Sequence, residues 1–338
     1  MAGGNALTRF GNALYTGETS VPFVGKRRIW LGIAVVLMVL AIAVPFIRGA
    51  GNPAEGFNFS IEFRGGAQFQ VSGATDAENR DLAIEAVESV VPDREVTVTQ
   101  VGDDGLRVQT DELAEAEVRE VAAALTEAYD ADDVTFSFVG PTWGADITRQ
   151  ALIGLAVFVG LALVLMAIYF RTWKMSLAAI LGLAHVLVIT IGVYAATGFE
   201  ISPAAVIGFL TILGFSLYDT VVVFDKIREN TTAMSDDSTR TFGETVNLAA
   251  NQTLVRSINT AVVASLPVAA ILVIGVGLLG ADTLRDISLA LLVGTVIGAY
   301  TTPFIAAPLY ALFRENEPEI ARRDKRVLEA RAKQSVAA

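Results

Sequence analysis

One carboxylate stands where an apolar stretch should carry none. Between Gly208 and Asp225, Asp219 lies six residues before the polar exit at Asp225. At a helical rise of about 1.5 Å per residue, that places it about 9 Å deeper. Its side chain is too short to reach water from there. Burial disfavours the charged form of a carboxylate and a nearby cation favours it, so a group held between the two can take up and release protons near neutral pH. The candidate cation is Arg256, within Asn251-Gln252-Thr253-Leu254-Val255-Arg256-Ser257-Ile258-Asn259-Thr260 at the start of the next apolar run. The two runs are joined by one polar loop, so both groups can reach similar depths on adjacent helices. Ser216, Tyr218 and Thr220 flank the carboxylate as supporting polar residues. Gln252 and Asn259 flank the arginine, and lipid offers them no partners, which favours a helix face turned to protein. The plainer alternatives are a structural hydrogen bond for Asp219 and an Arg256 that snorkels to the headgroups.

Other chemistry is scarce. His185 is the only histidine and lies in an apolar run, where a hydrogen-bonded core role is expected. There is no cysteine, hence no disulfide and no thiolate metal site. No phosphate-binding loop and no nucleophile-base pair is present. No catalytic residue, metal or cofactor is expected, and the chain does not read as an enzyme. A net charge of −11 argues against a nucleic-acid partner.

These residues need membrane-spanning elements to position them. Hydrophobic residues make up 53% of the 338 and charged residues 18%, and the apolar ones come in blocks. Several blocks reach the roughly 18 to 20 residues that cross a hydrocarbon core. They do not alternate as barrel strands would, so the spans are helical. The fold class is an α-helical membrane protein with six transmembrane helices. The first span, 29–47, reads as an uncleaved anchor rather than a leader, and later spans fall near 150–170, 174–197, 201–224, 257–279 and 284–312. Lys26, Lys174, Lys226, Lys325 and Lys333, with most of the arginine clusters, then lie on one side. By the positive-inside rule both termini are cytoplasmic. The expected organisation is a cytoplasmic segment 1–28, the first span, an extracytoplasmic domain 48–149, a five-helix domain 150–313 and a basic tail 314–338. Gly294 and Gly298 form a GxxxG pair in the last span, which permits close helix packing. Asp236-Asp237 reads as a solvated pair in the cytoplasmic loop.

The extracytoplasmic segment has a readable order. Ala67–Val71 alternates as a strand, and Thr75-Asp76-Ala77-Glu78 resembles a capping box before an amphipathic helix. Glu95–Val101 and Leu106–Gln109 flank the turn signal Gly102-Asp103-Asp104-Gly105. Asp111 is a candidate cap for a second helix carrying Leu113, Val118, Val121, Ala122 and Leu125. Val134–Phe138 closes the set. The order βαββαβ points to a ferredoxin-like split unit.

Four segments resemble the SecF family of protein-export membrane subunits. The most specific is Gly214-Phe215-Ser216-Leu217-Tyr218-Asp219-Thr220-Val221-Val222-Val223-Phe224-Asp225-Lys226-Ile227-Arg228-Glu229-Asn230. The others are Asn251–Ser257, Leu284-Arg285-Asp286 and Ile61-Glu62-Phe63-Arg64-Gly65-Gly66. Phe215, Tyr218 and Lys226 stand where Tyr, Asn and Arg are usual in that family, and Glu62 and Arg64 where Asp and Thr are. The resemblance implies a resistance-nodulation-division type of transmembrane unit completed by SecD. It further implies protons bound at Asp219 beside Arg256, and a drive on polypeptide emerging from the SecYEG channel. SecD, SecYEG, the translocating polypeptide and the bilayer are the partners it implies. The competing expectations are a half-size efflux-type transporter and a membrane assembly scaffold without proton coupling.

Overall fold

The computed structural model describes residues 12–16, 18–53, 55–101, 105–170, 172–233, 239–276 and 282–337. The turn residues Gly102-Asp103-Asp104 and the pair Asp236-Asp237 lie outside the described residues. Six helices are long and apolar enough to cross a membrane. The first is α1 (Arg27–Arg48). A short strand β1 (Asn58–Phe59) and a single helical turn α2 (Ile61–Arg64) follow it. At the end of that turn Gly65 and Gly66 take φ of 81° and 126°, in the left-handed region that favours glycine. A Cβ on Gly66 would also lie 2.3 Å from the Thr110 carbonyl oxygen, so the paired glycines of this segment are a backbone requirement.

An α/β unit comes next: β2 (Gly66–Ser72), α3 (Arg80–Val90), β3 (Val96–Val101), β4 (Gly105–Thr110), α4 (Glu115–Tyr129) and β5 (Asp133–Val139). Its sheet order is β3-β4-β2-β5, with every pairing antiparallel. Phe69 pairs with Val108 on one side and Phe136 on the other. Alternation puts Ala67, Phe69, Val71, Leu106 and Val108 on one face, where they bury against Val87, Val121 and Leu125 of the two helices.

Both expected helix caps are displaced here. Helix α3 starts at Arg80 after Asn79, not behind Thr75, because the Thr75 hydroxyl donates to the Tyr129 carbonyl at 2.7 Å. It thereby satisfies an acceptor at the end of α4 that the helix itself cannot serve. Helix α4 starts at Glu115, after a bend that carries Leu113 into the core, so Asp111 is too early to cap it. The Glu117 carboxylate instead accepts from the Ala114 amide at 2.7 Å.

The remaining spans are α5 (Pro141–Phe170), α6 (Trp173–Thr197), α7 (Pro203–Thr232), α8 (Phe242–Ala270) and a broken last span. The last span runs as α9 (Asp282–Thr301), a π-turn at Thr302–Ala306, then α10 (Ala307–Arg314). Helices α5 and α8 begin well before 150 and 257. Their first turns are polar, so hydropathy does not register them. A final helix, α11 (Pro318–Ala337), is polar. Spans α6, α7 and the last form the centre of the bundle, and α1, α5 and α8 keep wide apolar faces open.

Helices α7 and α9 approach closely along small residues. A Cβ on Gly294 would meet Ile212 Cγ1 at 2.5 Å, whereas one on Gly298 would make ordinary contact with Ser216 at 3.5 Å. Gly294→Val should therefore lower stability by about 1–3 kcal/mol through overpacking, while Gly298→Ala should be nearly neutral. Thermal unfolding midpoints in detergent test the contrast; equal midpoints for the two variants would mean that the helices separate freely here.

The α/β unit is tied to the spans at one edge. Strand β1 pairs in parallel with β6 (Glu200–Ile201), the strand joining α6 to α7. Arg107 Nη1 sits 2.9 Å from Glu200 Oε2, and Gln109 Nε2 donates to Glu200 Oε1 at 2.8 Å.

Candidate functional site

Helix α7 is capped by Ser202, whose Oγ accepts from the Ala205 amide, and it runs unbroken past Asp219 to Thr232. The Asp219 side chain turns inward and is 7% exposed. Its Oδ1 accepts a hydrogen bond from the Ser257 hydroxyl of α8 at 2.8 Å. Its Oδ2 is buried and has no hydrogen-bond partner among the described residues. Ser257, Thr302 and Arg256 are the groups close enough to act on the carboxylate.

Thr220 continues the polar patch. Its hydroxyl donates to the Ser216 carbonyl at 2.9 Å and meets the Thr302 hydroxyl at 3.1 Å. Thr302 opens the π-turn of the last span and is fully buried. Pro303, with no N–H to give, follows it, and π-turns of this kind often mark functional positions in helices. The buried carboxylate thus lies beside the one span of the central three whose helical ladder is interrupted among the described residues.

The site residues expected from sequence divide into two groups. Asp219, Ser216 and Thr220 lie together in the interior. Arg256 and Tyr218 lie together on the open face of α7 and α8, where Arg256 Nη2 donates to the Tyr218 hydroxyl at 3.4 Å. No salt bridge joins Arg256 to Asp219, although Ser257, the next residue, sets the two at one depth. Gln252 lies nearer the helix start, accepting from Asn230 at 2.9 Å and donating to the Tyr15 carbonyl at 3.2 Å. Asn259 is exposed and takes no part in the carboxylate's hydrogen bond. Asn251 does turn to protein, clamping Val21 through both its amide and its carbonyl.

Ser257 and Thr302 join the candidate site at positions that sequence patterns miss, because serine and threonine are unremarkable in a span until a partner is known. The Thr301-Thr302-Pro303 run was the available signal for the second. His185 fits the expected core role: Nε2 meets the Tyr300 hydroxyl at 2.9 Å, and the ring is buried. Asp225 is exposed, with the Tyr169 hydroxyl donating to it at 2.7 Å. No cluster of metal-ligating side chains occurs among the described residues.

Residues 120–316, from α4 to just past the last span, match the family described as protein export membrane protein SecD/SecF, C-terminal. The chain belongs to the SecD/SecF family. It is 41% identical to the protein translocase subunit SecF of Streptomyces coelicolor over 331 residues, 96% of this chain and 85% of that one. It is 38% identical to the SecF subunit of Mycobacterium tuberculosis, over 95% of this chain and 73% of that one. Among solved structures, the SecDF crystal structure from Thermus thermophilus superposes with a TM-score of 0.76 at 31% identity. That superposition covers 88% of this SecD/SecF chain but only 39% of the solved one. The relatives are thus protein translocase subunits, and this SecD/SecF chain is a multi-pass membrane protein like them.

Proposed function

We propose that this chain serves Sec protein export as a SecF-type subunit. Paired with SecD, it uses the proton motive force to promote late steps of polypeptide translocation through SecYEG. Both termini face the cytoplasm, and the α/β unit faces out. That unit, 48–149, is ferredoxin-like by its βαββαβ order and its β3-β4-β2-β5 sheet, and 150–313 forms a five-helix domain behind it. The family membership supports the export role. The lysines gathered on the terminal side support the orientation.

The observation that carries proton coupling is the half-bonded Asp219 carboxylate. A charge buried in a span is costly and in most cases functional. With Oδ1 held by Ser257, Oδ2 is free to carry the proton. Protonation removes a buried charge; its loss calls for hydroxyls and a cation to close in. The π-turn at Thr302 is where the last span can re-seat as that demand changes. Arg256 and Tyr218, open on the face of α7 and α8, lie where a SecD half would cover them and turn the guanidinium toward the carboxylate.

The decisive experiment is export in vesicles rebuilt with SecYEG, its motor and SecD, with and without this chain, under an imposed proton gradient. Gradient-dependent acceleration only when the chain is present supports the proposal. Acceleration that is the same without it leaves a partner-binding scaffold. Arg256→Leu should cut that acceleration by at least about tenfold, the effect of about 1.4 kcal/mol of lost charge stabilisation, and Arg256→Lys should cut it less. Wild-type rates in Arg256→Leu would reduce the residue to a headgroup anchor.

A further inference from the structure

The terminal side carries a second concentration of charge that proton handling does not use. Helix α11 shares a cavity of about 530 Å3 with the ends of α7, α8 and α10. Arg314, Arg322, Arg323 and Arg326 line it, against one carboxylate, Glu319. In a chain with a net charge of −11, this is a marked local reversal of sign.

The four arginines are not equivalent. Arg314 is committed to the wall: Nη2 and Nε donate to Glu317 at 2.8 and 3.1 Å, Nη1 donates to the Tyr310 hydroxyl, and the guanidinium lies over the Phe242 ring. Arg314 and Lys174 hold the Glu317 carboxyl below its ordinary range, so it stays charged and occupied. Arg322 has its Nε on the Pro318 carbonyl. Arg323 differs. Its Nε and Nη2 are buried and make no hydrogen bond among the described residues. An Asp324 oxygen lies 3.5 Å from Nη2, but that oxygen already accepts from the Phe242 amide at 2.9 Å.

Buried donors of a charged group are rarely left without an acceptor. A guanidinium fork fits the paired oxygens of a phosphate. The depth fits too. Arg314 ends the last span, and Leu312 just before it is exposed, as a residue facing the apolar edge of a bilayer would be. Basic pockets between span ends are where lipid phosphates are held.

We propose that this cavity is a binding site for a phosphate group, that of an anionic lipid headgroup or of a free anion, with Arg323 as its central ligand and Arg322 and Arg326 at its rim. The site is independent of proton coupling and holds whether or not Asp219 titrates.

The test titrates the full chain in detergent with water-soluble dihexanoyl-phosphatidylglycerol, its phosphatidylcholine counterpart and inorganic phosphate, reading heat of binding. Phosphatidylglycerol should bind, and phosphatidylcholine at least about tenfold more weakly. Arg323→Gln should weaken binding about fivefold, the usual loss for one basic residue at an anionic surface. The triple change R322Q/R323Q/R326Q should abolish it. K325Q/K333Q, which removes two positive charges from the same helix outside the cavity, should leave it unchanged. Inorganic phosphate that binds as tightly as the lipid assigns the site to a free anion; phosphate that fails to compete assigns it to the headgroup. Equal binding of the two lipids, or equal losses in K325Q/K333Q and Arg323→Gln, would overturn the proposal. Should Arg323→Gln fail to fold, Arg326→Gln, at an exposed position, carries the same comparison.

Discussion

Asp219→Asn should abolish gradient-dependent stimulation of export and leave the chain folded in the membrane with its SecD contact intact. The substitution is nearly isosteric, and the amide oxygen can still accept from Ser257. What it removes is the proton. In the proposed role the carboxylate alternates between a neutral and a charged form, whereas the amide is neutral at every pH and mimics only the protonated state. The ratio of export rates with and without the gradient should therefore fall to about 1, while the unfolding midpoint moves little. The midpoint shift should be small or even upward, because relieving a buried charge without leaving a partner orphaned is often neutral or stabilising. Asp219→Glu should retain part of the stimulation, since the acid remains but its longer stem displaces it from Ser257. Ser257→Ala, which frees Oδ1 without touching the acid, should shift the pH at which stimulation is half-maximal rather than abolish it. Full gradient response in Asp219→Asn would make the carboxylate a structural bond between α7 and α8.

The pattern of residues makes some of this legible and hides the rest for physical reasons. Strands β2 and β5 could be read because their apolar residues alternate with polar ones, and Phe69 and Phe136 pair across the sheet. Asp219 could be read because a carboxylate in an apolar run has no cheap explanation. Gly294 could be read as a packing position, and its neighbour Ile212 shows why. Ser257 and Thr302 could not, since their role exists only across three helices. Local chemistry also misled where tertiary bonds outbid it: Thr75 gave up a cap to serve the Tyr129 carbonyl, and the need to bury Leu113 moved the start of α4 past Asp111. Arg256 lies at the depth of Asp219 but on the open face, because the neighbour that a helix face meets is not a property of its local sequence.

Reversing the charge at Glu200 should uncouple the α/β unit from the spans, and restoring the pair in reverse should recover it. Arg107 and Glu200 are only 11% and 13% exposed at the side chain, so this is not a solvent-screened surface pair. Removing one partner of a buried pair typically costs about 3–5 kcal/mol, mostly from the charge left behind. Gln109 holds the second oxygen of Glu200, and it reaches Gln68 with the same amide, so the carboxylate is gripped by β4 and, through it, β2. From Glu200 the chain passes through β6 directly into the Ser202 cap of α7, the helix that carries Asp219. The Ser202 hydroxyl also donates to Asp286 of α9, so a pull on the strand reaches both helices of the central pair at once. In Glu200→Arg, spin labels on α4 and on the α6–α7 turn should report a broadened distance distribution, and gradient-driven export should fall by at least about tenfold with Asp219 untouched. The double change R107E/E200R should narrow the distribution and restore most of the rate. If Glu200→Arg broadens the distance yet exports normally, the sheet is a passive cover and force reaches the polypeptide by another route. If neither quantity moves, the ion pair is dispensable, and the pairing of β1 with β6, the Asn58 amide donating to the Gly198 carbonyl at 3.2 Å and the close approach of α2 to α5 at Gly144 hold the unit.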